Sequence, residues 1–227
     1  EEGVLTHSLQ IYKNGHVYMH FLEQDPDKKK GGYKRFSRSI DLTDNTFYAN
    51  LLIPLKTSKD LFKIIKELTV MAKLEESPLT LSYRDYDMIY ETSYDEGTRL
   101  FILQTPLFNG DLTSLPQNTP LIHKLEIAKK MIKSVRFVHK KNIIHRDVKL
   151  SNFFIRGKGR RLEVVLADYG LSQSRSDQNF GKSYAGTRGY VDPEICKTKS
   201  SLFSKTTMPF DSVSRVELGN HILYLFQ

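Results

Sequence analysis

The chain has very little cysteine: Cys196 is the only one among 227 residues, so no disulfide can form within it. It has no run of apolar residues long enough to span a membrane, and no internal repeat or low-complexity tract. Its first residues, EEGVLTHSLQ, lack the features of a signal peptide and resemble the middle of a protein. These absences favour a globular protein with no membrane span, and they leave its compartment open between intracellular and secreted.

The charge balance is basic, with 34 Lys and Arg residues against 26 Asp and Glu. The densest basic stretch, DPDKKKGGYKR at 25–35, also contains two acids and two glycines but only one aromatic residue. A surface that binds nucleic acid by stacking interleaves several aromatic side chains with the basic ones. A solvated loop is therefore the better interpretation, and no nucleic-acid partner is expected. The net charge of +8 is compatible with anionic substrates or phosphates.

The N-terminal third of the sequence predicts β-strands. SLQIY and VYMHFLE flank the pair Asn14-Gly15, which is a strong signal for a hairpin. KRFSRSIDL alternates polar and apolar residues, and FYANLLIPL is a short apolar run, so both segments predict strands. Two more strands are predicted in DMIYETSYDEGTRLFILQT, on either side of an Asp-Glu-Gly turn.

Helical spacing follows in three segments. Residues 58–74 carry apolar side chains three or four positions apart, with Ser58 as a candidate N-cap. A longer helix is predicted from Leu121 to about His139, and the final segment, VELGNHILYLFQ, is also apolar and helical. Strands come first and helices later, which predicts an α+β protein of two lobes with a loop-built cleft between them.

The segment HRDVKLSN, His145 to Asn152, concentrates charged and polar side chains between a predicted helix and a predicted strand. Phosphoryl transfer needs positioning and neutralisation of charge more than covalent help from the protein. In this spacing Asp147 supplies a carboxylate that orients an attacking hydroxyl, and Lys149 supplies a cation for the moving phosphoryl group. Asn152 supplies an amide oxygen for a metal ion. A charged surface turn is the alternative, which the length of the pattern disfavours.

Two further motifs follow in order along the chain. Asp168-Tyr169-Gly170 comes directly after the apolar strand VVLA, where a strand end presents a metal-binding carboxylate and the glycine permits a sharp turn. Residues 186–194, GTRGYVDPE, complete the series. Together with HRDVKLSN, these motifs resemble the catalytic loop, the DFG motif and the APE segment of the protein kinases. Lys149 in combination with GTxxY resembles the Ser/Thr kinases.

The resemblance implies the two-lobe protein-kinase fold. The N-lobe would occupy residues 1–104, as a β-sheet with an αC helix at 58–74, and the C-lobe would occupy residues 105–227. The resemblance also implies ATP and Mg²⁺ as cofactors and a protein as the substrate.

The resemblance also implies roles for individual residues. Glu67 stands where the αC glutamate of the family pairs with its ATP-binding lysine. Gln104 stands at the gatekeeper position, and Thr105 to Leu107 stand in the hinge. The other residues implied to contact the nucleotide are Val17, Ala49 and Phe154, and the implied Mg²⁺ ligands are Asn152 and Asp168.

Both ends of the chain depart from the kinase pattern. The G-x-G-x-x-G loop of the family is missing, because YKNGHVY offers only Gly15, in the place of the third glycine. At the other end VELGNHILYLF resembles the αF helix, and the helices that normally follow it are absent after Gln227. The sequence therefore predicts no working glycine-rich loop and a C-lobe that is incomplete in this chain.

The ATP-binding lysine of the family is also difficult to place. Aligning YANLLIPL with the family pattern Y-A-V-K-x-I-P-L puts Ala49 on the adenine-contacting alanine and Leu51 on the lysine. A second register, through KRFSRSIDL, puts Arg38 or Ser39 there. The first register is preferred, and Lys56 lies close to it. Neither register places a lysine at the required position.

The intact catalytic and metal positions predict a Ser/Thr protein kinase with an atypical nucleotide site. The missing glycine-rich loop and lysine favour an alternative, a pseudokinase that acts as a binding or scaffold module. A nucleic-acid-binding protein is a third hypothesis, which rests on the positive charge alone. Arg146 directly before Asp147 is typical of kinases switched by phosphorylation of the segment that follows. The candidate sites in that segment are Ser172, Ser174, Ser176, Ser183 and Tyr184.

Overall fold

The computed structural model describes residues 6–11, 15–22, 35–75, 77–91, 98–157 and 159–176, together with positions 218, 222 and 225. The chain divides into two compact units, Glu1–Lys63 with Ser82–Leu107 and Ile64–Leu81 with Phe108–Gln227. The change of unit after Leu107 lies three residues beyond the predicted lobe boundary, and most of the helix predicted at 58–74 groups with the second unit. Within the described residues, no helix is long and apolar enough to cross a membrane.

The first unit is built on one six-stranded sheet in which all neighbouring strands are antiparallel. The strands lie in the order β1-β2-β3-β4-β6-β5, so β6 pairs with both β4 and β5. Every one of them overlaps a segment predicted as a strand, which confirms the β-rich first part of the fold. Their bounds are Thr6–Ile11 (β1), Val17–Leu22 (β2), Arg35–Asp41 (β3), Thr46–Leu55 (β4), Asp85–Glu91 (β5) and Thr98–Pro106 (β6).

The β1–β2 hairpin predicted around Asn14-Gly15 is present, because the two strands pair antiparallel with Ile11 opposite Val17. Gly15 has a φ of +80°, a left-handed conformation that glycine adopts without steric cost. The prediction of a hairpin is confirmed.

The helix α1 spans Ser58–Leu74, the bounds that the periodicity predicts. Its first turn is fastened to the residue before it, because the backbone N–H and the hydroxyl of Thr57 both donate to Asp60 Oδ2 at 2.9 Å. Thr57 rather than Ser58 therefore makes the capping contact. Its buried side chains recur every three or four residues, at Asp60, Ile64, Glu67, Met71 and Leu74, and Val70 is buried beside Met71.

The second unit combines a long helix, α2 at Leu121–Lys140, with two small sheets of order β10-β9-β7 and β11-β8. The bounds of these strands are Gly110–Asp111 (β7), Ile143–Ile144 (β8), Phe153–Arg156 (β9), Glu163–Leu166 (β10) and Gln173–Ser174 (β11). α2 packs against β8 and β10. Its buried side chains are Ile127, Ala128, Met131, Ser134, Val135 and Val138.

The segment after α1 is tied to β10 by backbone hydrogen bonds. Leu81 N–H donates to the carbonyl of Leu166 at 2.8 Å, and Leu166 N–H donates to the carbonyl of Leu79 at 3.0 Å. Since Leu166 also pairs with Phe153 of β9, the end of β10, which the DYG motif follows, is held on both sides. Near the C-terminus, Leu218 and Ile222 are helical, while most of the helix predicted there lies outside the described residues.

Candidate active site between β8 and β10

The loop after β8 brings three of the predicted catalytic residues into contact. Lys149 Nζ lies 2.7 Å from Asp147 Oδ2. The side-chain amide of Asn152 donates to the Asp147 carbonyl at 2.8 Å, and it also approaches Asp147 Oδ2 at 3.2 Å. These contacts hold the Asp147 carboxylate in place. Asp147 keeps 7% of its surface exposed, so it still contacts solvent. The arrangement presents a positioned carboxylate beside a cation, as general-base and charge-neutralising roles require.

His145 supports this loop from beneath and is completely buried. Its Nε2 lies 2.9 Å from the carbonyl of Ala167, and its Nδ1 lies 3.3 Å from the backbone N–H of Asp147. A carbonyl only accepts and an N–H only donates, so these bonds require a neutral ring with the proton on Nε2. Burial lowers the pKa of His145 from its ordinary value of 6.5, which favours the same neutral form.

Ala167 joins the catalytic loop to the DYG motif. Its N–H donates to the carbonyl of Asn152 at 2.8 Å, and its carbonyl accepts from His145. The following residue, Asp168, has a φ of +61°, and Arg146 has a φ of +68°. Left-handed backbone at residues with side chains carries a conformational cost, and it is concentrated at functional sites. The turn predicted at Gly170 is present at Gly170 and Leu171, where the N–H of Ser172 donates to the carbonyl of Tyr169 at 2.9 Å. The side chain of Asp168, just before this turn, is exposed.

Tyr169 fixes the other side of the same turn. Its hydroxyl donates to the carbonyl of Leu166 at 2.7 Å, and its ring meets the His145 ring edge-on at 5.3 Å between centroids. Burial raises the pKa of Tyr169 well above its ordinary value, so the hydroxyl stays protonated and remains a donor. The buried side chains of Tyr169 and His145 therefore pack together beneath the backbone that carries Asp147 and Asp168.

Glu67 of α1 lies close to the DYG motif within the second unit. A Cβ atom placed on Gly170 would lie 3.4 Å from Asp168 Oδ1 and 3.7 Å from Glu67 Oε2. The two carboxylates therefore approach the same backbone position from different elements. A cation in this space would be attracted by both of them.

Asn152 and Asp168 suit the Mg²⁺ role that the sequence predicts for them. Mg²⁺ prefers oxygen ligands. Asn152 offers the oxygen of its side-chain amide, and Asp168 offers its carboxylate. The amide nitrogen of Asn152 faces Asp147, which turns the amide oxygen away from it. In the part of the chain that the structure describes, no three His, Cys, Asp or Glu side chains converge on one point. The remaining ligands would come from a nucleotide or from water.

The central strands of the sheet carry three of the residues predicted to contact a nucleotide, but on two different faces. Ala49 of β4 pairs directly with Thr105 of β6, so their side chains share a face. Gln104 pairs with Asn50, and its side chain lies on the opposite face. A ligand against Ala49 therefore meets Thr105 rather than Gln104.

Val17 lies on the face of Ala49 but farther along the sheet. The cross-strand row through Ala49 passes Arg38 of β3 and reaches β2 at Phe21. Phe21 is four residues from Val17, which is about 13 Å along a strand. The structure therefore does not place Val17 beside Ala49.

Leu107 and Phe154 complete the predicted set. Leu107 directly follows β6 and is half-buried. Phe154 belongs to the second unit, in β9, where its ring packs against Phe108 at 5.9 Å between centroids. Its neighbours along the sheet are Val165 of β10 and Asp111 of β7. Phe154 is half-buried, so part of its ring remains accessible to a ligand.

The candidate phosphorylation sites differ in exposure. Ser172 is fully buried and its hydroxyl donates to the carbonyl of His145 at 3.3 Å, and Ser174 is also buried. Ser176 is exposed. A modifying enzyme needs access to the hydroxyl, so Ser176 is the accessible member of these three. Ser183, Tyr184, the GTRGYVDPE segment and Cys196 lie outside the described residues.

Gln104 gives a first testable prediction. Gln104, Asn50 and Ser39 are fully buried and hydrogen-bonded in a row, at 3.2 Å for each bond. Gln104 Oε1 has no hydrogen-bond partner among the described residues, and a buried unsatisfied acceptor costs about 1–3 kcal/mol. We expect Gln104→Leu to raise the free energy of unfolding by about 1 kcal/mol, read as a melting temperature higher by about 2–4 °C. Asn50→Leu is the control: it removes the acceptor of the Ser39 hydroxyl and should lower the melting temperature. A melting temperature of Gln104→Leu below that of the parent would contradict the prediction.

The lowered pKa of His145 gives a second prediction. The unfolded chain binds a proton at this side chain below its ordinary pKa of 6.5, while the folded chain resists protonation. The His145 contribution to stability is therefore complete above pH 6.5 and declines as the pH falls from there toward the lower folded pKa. We expect the melting temperature to drop between pH 7.5 and pH 5, and to drop less in a His145→Leu variant. An equal fall in melting temperature with pH in the parent and in the His145→Leu variant would contradict this prediction.

Comparison with known proteins gives a consistent result. Residues 30–208 match the protein kinase domain family. The meiosis-specific serine/threonine-protein kinase mek1 of Schizosaccharomyces pombe is 26% identical over 74% of this chain and 37% of its own length. Calcium/calmodulin-dependent protein kinase type II of Caenorhabditis elegans is 26% identical over 74% of this chain and 23% of its own. Serine/threonine-protein kinase RAD53 of Saccharomyces cerevisiae is 22% identical over 88% of this chain and 24% of its own. The chain thus spans between about a quarter and just over a third of the length of these relatives.

Proposed function

Because the chain belongs to the protein kinase family, we propose that it transfers the γ-phosphoryl group of ATP to serine or threonine hydroxyls of a protein. The observation that carries the proposal is the cluster of Asp147, Lys149 and Asn152, with the carboxylate 2.7 Å from the ammonium group and bonded to the amide. A carboxylate for the substrate hydroxyl, a cation for the phosphoryl group and an amide for a metal ion are thus present together. The relatives with serine/threonine in their names support the choice of hydroxyl.

Within this proposal each residue has one role. Asp147 orients the substrate hydroxyl and accepts its proton, while Lys149 balances charge on the phosphoryl group. Asn152 and Asp168 would hold Mg²⁺, which supplies neutralisation of the phosphate oxygens when it is bound. His145 and Ala167 keep these groups in register through their hydrogen bonds.

A direct assay tests the proposal. The chain is incubated with Mg²⁺ and ATP labelled on the γ-phosphate, together with a mixed protein substrate. We expect transfer to phosphoserine and phosphothreonine, identified by hydrolysis of the labelled protein, and loss of transfer when the metal is chelated. No incorporation above a protein-free control, or label found only on tyrosine, would reject the proposal.

A pseudokinase that serves as a binding module is the second candidate, and one observation favours it. Leu51, at the aligned position of the ATP-binding lysine, pairs with Phe36 of β3 and Leu103 of β6. Three apolar side chains in one cross-strand row offer no charge to a phosphate. A ligand that binds the folded state raises its melting temperature. The absence of any shift at millimolar Mg·ATP would favour the pseudokinase over the active enzyme.

A further inference from the structure

The two alternative registers for the missing lysine lead to neighbouring positions. Arg38 pairs directly with Ala49, and Leu51 lies two residues farther along β4. Arg38 and Leu51 are therefore diagonal neighbours on one face, at about 7–8 Å between backbones, a separation that long side chains bridge. The strand pairing thus puts a permanent cation beside the leucine that replaces the lysine.

Arg38 also shares its row with residues implied to contact the nucleotide. The row crosses four strands and consists of Phe21, Arg38, Ala49 and Thr105. Side chains directly opposite each other on neighbouring strands point to the same face. A nucleotide that lies against Ala49 and Thr105 is therefore within reach of the Arg38 guanidinium.

The two faces of the sheet differ in accessibility. On the opposite face Ser39, Asn50 and Gln104 are fully buried. On the face of Arg38, Ala49 and Thr105 keep 9% and 8% of their surface exposed, whereas Phe36 keeps 43%, Arg38 is exposed and Leu51 is half-buried. A ligand can therefore approach this face from the side of Phe36, Arg38 and Leu51.

Arg99 and Lys56, two other cations of the first unit, are farther from Leu51 and Ala49. Arg99 occupies the same face but pairs with Leu55, six residues along β4 from Ala49, which is about 20 Å. Lys56 follows the end of β4, five residues beyond Leu51, which is about 16 Å. Arg38 is therefore better placed than Arg99 or Lys56 for a ligand on this face.

We propose that Arg38 supplies the cation that binds the nucleotide phosphates in place of the lysine of the family. The proposal rests on the proposed function and adds to it the residue that grips the phosphates. A guanidinium presents a planar fork that binds two phosphate oxygens at once, whereas an ammonium group acts as a point charge. The contact is therefore built from a different strand and with a different geometry from that of a lysine.

Calorimetric titration of the full chain with Mg·ATP and with adenosine tests the assignment. In Arg38→Gln we expect ATP to bind roughly 10- to 100-fold more weakly, the loss of hydrogen bonds to a charged group. Adenosine affinity should stay unchanged, because adenosine has no phosphate. Arg99→Gln is the matched control, an exposed arginine on the same face, and it should bind ATP like the parent. Adding Leu51→Lys to Arg38→Gln should restore ATP binding, because it returns a cation to this face.

Several results would overturn the assignment. Unchanged ATP affinity in Arg38→Gln would do so, as would equal losses for ATP and adenosine, which would indicate a role toward the base or in folding. Loss of ATP binding in Lys56→Gln with none in Arg38→Gln would assign the contact to another cation. If the parent chain binds no Mg·ATP at all, the proposed function fails as well. If the parent binds and Arg38→Gln binds equally, only the role of Arg38 is rejected.

Discussion

Replacing Asp147 with asparagine should reduce phosphoryl transfer by roughly 100- to 10,000-fold, the range that a general acid or base contributes. The substitution keeps the shape of the side chain and removes its negative charge. An amide at this position cannot accept the proton of the attacking hydroxyl, and it loses the ion pair with Lys149 at 2.7 Å. The rate of transfer to a protein substrate at saturating Mg·ATP is the measurement.

The fold of Asp147→Asn should survive, which separates chemistry from stability. Lys149 keeps 27% of its side chain exposed, so water solvates its charge when the partner is lost. We expect a change in unfolding free energy within about 1 kcal/mol. Glu163→Gln is a suitable control, because Glu163 is an exposed carboxylate in the same unit, paired with Arg156 at 2.7 Å. Equal transfer rates in the parent and in Asp147→Asn would remove Asp147 from the mechanism.

His145→Leu should have the largest effect on stability, lowering the free energy of unfolding by about 2–4 kcal/mol. Leucine fills much of the same space but leaves the carbonyl of Ala167 and the N–H of Asp147 without partners in a fully buried site. Each unsatisfied buried group carries its full desolvation cost. For a chain of this size, that loss corresponds to a melting temperature lower by roughly 5–15 °C.

His123→Leu is the matched comparison for this variant. His123 is half-buried in α2, away from the catalytic loop, and its replacement should change the melting temperature by only about 1–2 °C. The His145→Leu protein should also lose phosphoryl transfer, because the backbone that carries Asp147 is released. A melting temperature within 2 °C of the parent for His145→Leu would contradict a supporting role for the buried ring.

Much of this fold is predictable from local patterns in the sequence. The helix at Ser58–Leu74 follows from apolar spacing, and the strands of the first unit follow from alternation and turn residues. The contact between Asp147 and Asn152 also follows from the sequence, because the two residues are only five positions apart and the motif fixes their roles. Short-range spacing carries this information because contacts between residues close in sequence do not depend on how distant segments pair.

The sheet registers required the structure, because register is a long-range property. The family places its ATP-binding lysine on the third strand, whereas the strand before α1 is the fourth in this chain. The same long-range pairing separates Gln104 from Ala49, since a shift of one residue along a strand changes the face. No local pattern in the sequence reveals which residues of two neighbouring strands lie on the same face of the sheet.

The hydrogen bonds that hold the catalytic loop connect residues of one short stretch. The partners described for His145, Asp147 and Asn152 all lie between residues 145 and 172. Contacts of such small sequence separation cost little loop-closure entropy. The hydrogen bonds described for the loop therefore form at a small entropic cost once the chain has turned back between residues 145 and 172, and they fix Asp147 and Asn152 relative to each other from within one stretch of the chain.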